Sequence, residues 1–301
     1  MNIINRIIIF FMPLIPKPIV KIFSQRYIAG EKLNDAVEIS RRLNKKGIMT
    51  TIDFLGEEIK TKEEALKVLN TYKEILKVIA EEKIDANISL KPTHLGLKLD
   101  KELAYNNIRE LVIEAQKYNN FVRIDMEDSS CTDDTLEIFS RLKKEFNNVG
   151  TVIQAYLRRT IKDVNNLIEI GANLRLCKGI YIEPRKIAWK DKEIINKNFS
   201  HCLEKLFLNR CYVGVATHDE KLVWECLSLV DKYGLKKDEY EFQMLLGVDH
   251  ELRDIIVSTG NRLRIYVPFG KDWYKYSVRR LKENPNIVSD IVKSIFNPYK
   301  I

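Results

Sequence analysis

Hydrophobic and polar positions follow two alternating patterns along most of the chain. Short runs with a period of two residues predict strands, and each run stops at a turn residue or a polar tip. Between them lie longer stretches with a period of 3.6 residues, rich in lysine and glutamate, which predict amphipathic helices. The predicted strands are Met49–Gly56, Ala86–Pro92, Phe121–Glu127, Thr151–Tyr156, Asn173–Gly179, Tyr212–His218, Tyr240–Leu245 and Leu263–Gly270.

Strand and helix alternate eight times, which predicts an α/β fold with a parallel sheet covered by helices. Eight units favour closure into a (β/α)8 TIM barrel at residues 47–301, preceded by a helical arm at residues 1–46. An open doubly wound sheet is the alternative, but no strand is followed by GxGxxG or GxxxxGK[ST]. The predicted helices are Lys32–Lys46, Thr61–Glu82, Lys101–Tyr118, Asp133–Glu145, Thr160–Glu169, Asn196–Leu208, Glu220–Lys232 and His250–Ser258.

Composition and charge narrow the class of protein. The chain has 301 residues, of which 45% are hydrophobic and 31% charged, as in a soluble globular protein with an ample core. The formal net charge of +8 is spread through lysine-rich helices without a dense basic block, so we expect no nucleic acid partner. Mild attraction to an anionic membrane surface is equally compatible with this charge.

Cysteines and histidines give no sign of a metal site. The five cysteines form no CxxC pair, and the four histidines do not cluster into a ligand motif. An odd number of scattered cysteines, without a clear signal peptide, is typical of reduced thiols in the cytoplasm.

The amino terminus contains a short apolar run, Ile7–Met12, which is followed by Pro13, Pro16 and Pro18. The run is too short to span a bilayer, and no convincing cleavage site follows it. We expect it to pack on the domain as part of the helical arm. Contact with a membrane face is the alternative.

The carboxyl ends of the predicted strands are unusually polar, and in a (β/α)8 barrel these ends form the active site. Each residue also has an ordinary explanation. Lys91 could be a solvated turn residue, Asp125 could pair with Arg123, and His218 could cap the next helix. The polar residues at the eight ends are Asp53, Lys91, Asp125, Glu127, Asp128, Gln154, Tyr156, Arg175, Lys178, Tyr181, Thr217, His218, Gln243 and Tyr266.

The stretch after the last predicted strand points to a ligand. Gly270 breaks the strand, and the following residues predict a helix that places Tyr276 and the pair Arg279 and Arg280 close together. A guanidinium matches a carboxylate as a two-pronged donor, which suits a small carboxylate ligand. The alternative is an ordinary amphipathic helix with a solvated basic face.

Seven of these motifs together resemble the proline dehydrogenase family in its small monofunctional bacterial form, over residues 40–285. The motifs occur in order as Ser-Leu-Lys91-Pro, Arg-Ile-Asp125-Met-Glu, Val-Ile-Gln154-Ala-Tyr, Arg175-Leu-Cys-Lys178-Gly179-Ile-Tyr181, Ala-Thr217-His218-Asp, Glu-Phe-Gln243-Met-Leu and Tyr266…Tyr276-x-x-Arg279-Arg280.

The resemblance implies a distorted (β/α)8 barrel that binds FAD and oxidises L-proline to Δ1-pyrroline-5-carboxylate by hydride transfer to flavin N5. It also implies a quinone as the electron acceptor. A cytoplasmic protein with peripheral contact at the inner face of the cell membrane would fit this role, and oligomer formation stays open.

The resemblance further implies roles for individual residues. Asp125 and Arg175 would be the catalytic pair nearest the reacting centre. Lys91, Arg279 and Arg280 would hold the proline carboxylate, with Tyr266 and Tyr276, and Leu246 beside them, lining the ring pocket. The FAD-binding residues would be Met126, Gln154, Lys178, Gly179, Ile180, Thr217 and His218. Cys177 and Ile180 depart from the usual small aliphatic residue and alanine of the family.

Two other function classes stay open on the residues alone. One is a lyase-type barrel in which Lys91 or Lys178 forms a Schiff base. The paired arginines and the missing phosphate-loop signature speak against it. The other is a non-catalytic, membrane-associated scaffold built on the apolar arm.

Overall fold

Eight parallel strands form a closed barrel in sequence order, with β8 pairing to β1. The computed structural model describes residues 21, 24, 26–56, 59–274 and 276–277. The predicted (β/α)8 fold is therefore confirmed. The predictions made for Ile7–Met12 and for Arg279 and Arg280 lie outside the described residues.

The strands are β1 Met49–Phe54, β2 Ala86–Leu90, β3 Val122–Ile124, β4 Val149–Gln154, β5 Leu174–Cys177, β6 Val213–Ala216, β7 Tyr240–Leu245 and β8 Leu263–Phe269. The helices are α1 Leu33–Asn44, α2 Lys62–Glu81, α3 Lys101–Lys117, α4 Thr132–Glu145, α5 Thr160–Glu169, α6 Lys192–Leu208, α7 Glu220–Tyr233 and α8 His250–Ser258. A short 3₁₀ helix, Pro92–Leu95, follows β2. None of the described helices has the length and apolar character needed to cross a membrane.

Helix α2 shows how the local sequence sets these elements. Thr61 caps its first turn by accepting from the backbone N–H of Glu64, whose side chain accepts from the backbone N–H of Thr61 in return. Apolar residues then recur on the face that packs against the barrel, from Ala65 to Ile79.

The layer over the seam between β8 and β1 comes from α1, which precedes the barrel in the chain and packs against both strands. After β8 the chain turns into helical residues, where the N–H of Tyr276 donates to the carbonyl of Asp272 at 3.2 Å. Among the described helices, α1 and α8 therefore both pack against the last strand.

The inside of the barrel is polar, whereas the main hydrophobic core lies between the strands and the helices. Along β8, Leu263, Ile265 and Val267 join that core, while Arg264 and Tyr266 take the alternate positions. Hydrogen bonds cross the interior between strands that are not neighbours, such as those from β5 and β8 to the residue after β3. This departs from the usual barrel, in which layers of branched aliphatic side chains fill the interior.

Candidate active site

Lys91 forms a buried ion pair with Asp53 near the carboxyl ends of β2 and β1. Its ammonium donates to Oδ1 of Asp53 at 2.8 Å and to Oδ2 at 2.9 Å. Asp53 is 0% exposed and Lys91 is 7% exposed. The hydroxyl of Tyr72 on α2 donates to the carbonyl of Ser89 at 2.9 Å and lies 3.4 Å from Oδ1 of Asp53. Lys91 is thus a fixed part of the barrel interior and not a solvated turn residue.

The charges around Lys91 keep it protonated. Burial favours the neutral amine, but attraction to Asp53 and Asp125 outweighs it and raises the pKa of Lys91. A Schiff-base nucleophile needs the opposite, an amine that loses its proton near neutral pH. The two carboxylates therefore favour the protonated, cationic form of Lys91.

The carboxylate of Asp125 accepts hydrogen bonds from side chains of three strands, β2, β5 and β8. Its Oδ1 accepts from the hydroxyl of Ser89 at 2.6 Å and from Nη1 of Arg175 at 2.7 Å. Its Oδ2 accepts from the hydroxyl of Tyr266 at 3.0 Å. The ion-pair partner of Asp125 is thus Arg175 and not Arg123, which donates to the carbonyls of Thr151 and Asn173.

Arg175 is held from both sides. Its Nε donates to Oε1 of Gln243 on β7 at 2.5 Å, and its guanidinium carbon lies 5.3 Å from the centroid of the Tyr266 ring. Gln243 in turn donates through Nε2 to Oε1 of Glu241 at 2.6 Å. The arginine is therefore oriented by Asp125, Gln243 and an aromatic face together.

The two tyrosines of the predicted ring pocket have different surroundings. Burial and the charges of Asp125 and Asp53 raise the pKa of Tyr266 well above its ordinary value, so its hydroxyl remains a neutral donor. Tyr276 is buried in a small cluster with Tyr27, Ile28 and Leu55. Leu246 packs against the main core.

The predicted cofactor residues line the edge formed by β3 to β6. Gln154 ends β4 and is 3% exposed, and its Oε1 has no hydrogen-bond partner among the described residues. Lys178 follows β5 and pairs with Asp219 at 2.5 Å. Met126, after β3, is buried, and Ile180 is half-buried.

Gly179 is required by the ring beneath it. Its φ of +102° lies in the region that favours glycine, and a β-carbon at this position would overlap the ring of Tyr156. The backbone N–H of Tyr156 donates to the carbonyl of Lys178 at 2.8 Å, which fixes this approach. The turn after β5 therefore lies directly on the end of β4.

Thr217 and His218 connect β6 to its neighbours. The hydroxyl of Thr217 accepts from the N–H of Asp219 at 3.0 Å, and Nε2 of His218 accepts from the N–H of Leu245 at 2.9 Å. Asp219 caps α7 by accepting from the N–H of Lys221. The capping role considered for His218 thus belongs to Asp219.

The structure therefore brings those predicted residues that it describes at the strand ends onto one rim. They form a charged group around Asp125 and a group of candidate cofactor residues at the ends of β3 to β6. Sequence reasoning placed Asp53 and Gln243 at strand ends but gave them no role, and it missed Ser89. The signal available was the alternation of polar residues on one side of β2 and β7. Among the described residues, no group of three or more histidines, cysteines or carboxylates is placed to hold a metal ion.

The profile of the family described as proline dehydrogenase matches residues 36–293. The chain belongs to the proline dehydrogenase family. Proline dehydrogenase 1 of Bacillus subtilis (strain 168) is 38% identical over 272 residues, covering 90% of each chain. Proline dehydrogenase of Deinococcus radiodurans is 32% identical over 277 residues, covering 90% of this chain and 89% of that one.

A solved structure of proline utilization A from Bdellovibrio bacteriovorus, inactivated by N-propargylglycine, has the same fold. The TM-score is 0.83 at 26% identity, and the match covers 93% of this chain and 34% of that longer chain. Family membership makes the protein an oxidoreductase of proline catabolism, and it implies a flavin cofactor.

Proposed function

We propose that this member of the proline dehydrogenase family uses FAD to oxidise L-proline to Δ1-pyrroline-5-carboxylate. The observation that carries the proposal is that the ion pair of Lys91 with Asp53 lies beside the hydrogen-bonded group of Asp125, Arg175 and Tyr266, whose carboxylate attracts the Lys91 ammonium. When bound, FAD would supply the hydride acceptor at N5. Proline would lose that hydride from carbon and a proton from nitrogen as the C=N bond forms.

The chemistry of the edge formed by β3 to β6 suits the cofactor. The unpartnered Oε1 of Gln154 is a buried acceptor, which suits an N–H donor such as that of a flavin ring. Lys178 and the backbone at Gly179 offer positive charge and close approach, which suit a diphosphate. We assign Met126, Ile180, Thr217 and His218 to the same cofactor site.

The charged group would orient the substrate. Lys91 is a fixed cation, and with Arg279 and Arg280 it would hold the proline carboxylate so that the reacting carbon has one orientation. Arg175 would place positive charge where negative charge develops. The carboxylate of Asp125 accepts from three donors, so its role would be to position Arg175 and Tyr266.

We also propose that a quinone takes the electrons, and that the protein works in the cytoplasm with peripheral contact at the inner face of the cell membrane. The apolar run Ile7–Met12 and the net charge of +8 support this contact. Flotation with anionic vesicles would test it, with neutral vesicles as the control. Removal of residues 1–18 should abolish flotation, and an unchanged result would assign the contact elsewhere or exclude it.

The visible spectrum of the purified protein tests the main proposal. We expect flavin bands that bleach on anaerobic addition of L-proline and persist with pyrrolidine, which has the same ring without the carboxylate. Bands that stay oxidised with L-proline would contradict the substrate. A colourless protein that takes up no added FAD would contradict the cofactor.

A further inference from the structure

A second pocket lies at the amino-terminal end of the barrel, opposite the candidate active site. Its volume is about 550 Å³, within the range of small-molecule sites. The loops that enter β2, β3 and β8 and the first residues of β3, β7 and β8 form its walls. This end of a barrel usually serves stability alone, so its composition needs an explanation.

Positive charge dominates these walls. Four cationic residues line the pocket, Lys83, Arg123, Arg262 and Arg264, against two carboxylates, Asp85 and Glu241. The loop residues Asn119 and Asn120 add side-chain amides.

The carboxylate of Glu241 is already used by other protein groups and is not available to pair with the remaining cations of the pocket. It pairs with Nε of Arg264 at 2.8 Å and accepts from the hydroxyl of Tyr212 at 2.8 Å and from Gln243 at 2.6 Å. It is 2% exposed, so this carboxylate is enclosed by its partners. One arginine of the pocket is therefore neutralised by protein groups.

Arg123 and Arg262 differ from Arg264 because the groups that accept their hydrogen bonds are neutral. Arg123 donates to the carbonyl oxygens of Thr151 and Asn173 and to Oδ1 of Asn173. Its Nε has no hydrogen-bond partner among the described residues. Arg262 donates to the carbonyl of Asp238 at 3.3 Å, and its guanidinium carbon lies 6.0 Å from the centroid of the Tyr212 ring.

A buried cation without a neutralising anion is costly. Arg123 is 2% exposed and forms no ion pair among the described residues. Its burial and the charge of Arg175 lower the pKa of Arg123 to about 9, an effect that the charge of Glu241 offsets only in part. An anion in the pocket would offset this cost and would match the fork of Arg262 with two parallel hydrogen bonds.

We propose that this pocket is a second binding site, for a small organic anion that carries a carboxylate or a phosphate group. Arg262 and Lys83 would contact the anion directly, and the buried guanidinium of Arg123 would attract it electrostatically. The site is separate from the one that we assign to proline, and the proposal does not depend on the identity of the flavin or of the substrate.

Titration calorimetry on the full chain with its cofactor, at low ionic strength, tests the proposal. The probes are citrate for a carboxylate and inorganic phosphate for a phosphate group, with the uncharged triethyl ester of citrate as the control. We expect saturable binding of at least one anion to one site per chain and no binding of the ester. The anion that binds more tightly identifies the group that the pocket prefers.

Three variants locate that binding. Arg262→Gln should weaken it at least about tenfold, because a bidentate contact is lost. Lys162→Gln removes the same charge from an exposed position on α5 and should change it by less than about twofold. Arg279→Gln, which removes a cation that we assign to the proline carboxylate, should leave it unchanged.

Three results would overturn the proposal: no binding of either anion, equal weakening by Arg262→Gln and Lys162→Gln, or loss of binding in Arg279→Gln. If Arg262→Gln fails to fold by circular dichroism, Lys83→Gln repeats the test at an exposed loop position. It should weaken binding more than Lys162→Gln does, and an equal effect would contradict the assignment.

Discussion

Asp53→Asn should destabilise the protein strongly, because it leaves the ammonium of Lys91 buried without its partner. In the wild type both carboxylate oxygens lie within 2.9 Å of the Lys91 nitrogen, in a site where Asp53 is 0% exposed. Removing one partner of such a pair costs about 3–5 kcal/mol of unfolding free energy. Attraction to Asp125 remains, which places our expectation at the lower end, about 3 kcal/mol.

The double variant Asp53→Asn with Lys91→Met separates this cause from general damage to the site. It removes both charges at similar volume, so most of the lost stability should return, with a coupling of about 2 kcal/mol or more. Reversible urea unfolding at pH 7, followed by circular dichroism, measures both variants. Glu193→Gln is the control, because its ion pair with Lys197 is largely exposed and should leave the unfolding midpoint unchanged.

Two outcomes would refute the reasoning. A cost below about 1 kcal/mol for Asp53→Asn would mean that the ammonium finds other partners or water. A double variant as unstable as the sum of the two single ones would mean that the groups act independently.

Three further predictions concern other parts of the barrel. Burial alone would raise the pKa of Glu241, but Arg264 outweighs it and lowers this pKa to about 2 from 4.5. The ionised Glu241 therefore contributes about 3 kcal/mol to the free energy of unfolding. This contribution is fully present above pH 4.5 and is lost as the pH falls towards 2. Urea unfolding at several acidic pH values should therefore show a smaller loss in Glu241→Gln, and equal losses would contradict the assignment. Gly179→Ala should lower the melting temperature, at a cost of about 1–3 kcal/mol of unfolding free energy, and should lower the flavin content, because the new β-carbon overlaps the ring of Tyr156. Gly171→Ala, where φ is also positive but the space is open, should keep its flavin, and equal flavin loss in both variants would exclude the ring overlap as the cause. Arg279→Lys and Arg280→Lys should each raise the KM for proline about tenfold or more while flavin stays bound, and an unchanged KM in steady-state assays of both would exclude the carboxylate contact.

The fold could be predicted because each strand has one apolar and one polar side and ends at a clear break. Helix starts were less certain. The sequence pattern began one helix at Asn196, whereas α6 begins at Lys192, because Asp191 caps it by accepting from two backbone N–H groups. Asp191 is a typical capping residue, but the charged residues that follow it interrupt the apolar pattern by which the helix start was judged.

The pairing inside the site could not be predicted, because it depends on the radius and stagger of the barrel. Asp125 and Arg175 are 50 residues apart in the chain, and β3, which Asp125 follows, is not a neighbour of β5, which carries Arg175. Nearby Arg123 was the obvious partner from sequence spacing. In the structure it lies in the wall of the pocket at the other end of the barrel, because the residues of one strand face are stacked along the barrel axis.

The position of α1 makes the order of synthesis matter for assembly. This helix is made before the strands, yet one of the two strands that it covers, β8, follows about 220 residues later. Until β8 is made, the edge of β1 that pairs with β8 has no neighbouring strand, and α1 can pack against β1 but not against β8. A nascent chain that stops before Leu263 therefore exposes an unpaired strand edge, which is the feature that chaperones and aggregation both recognise. The last strand completes the barrel and shields the first part of the chain in one late step.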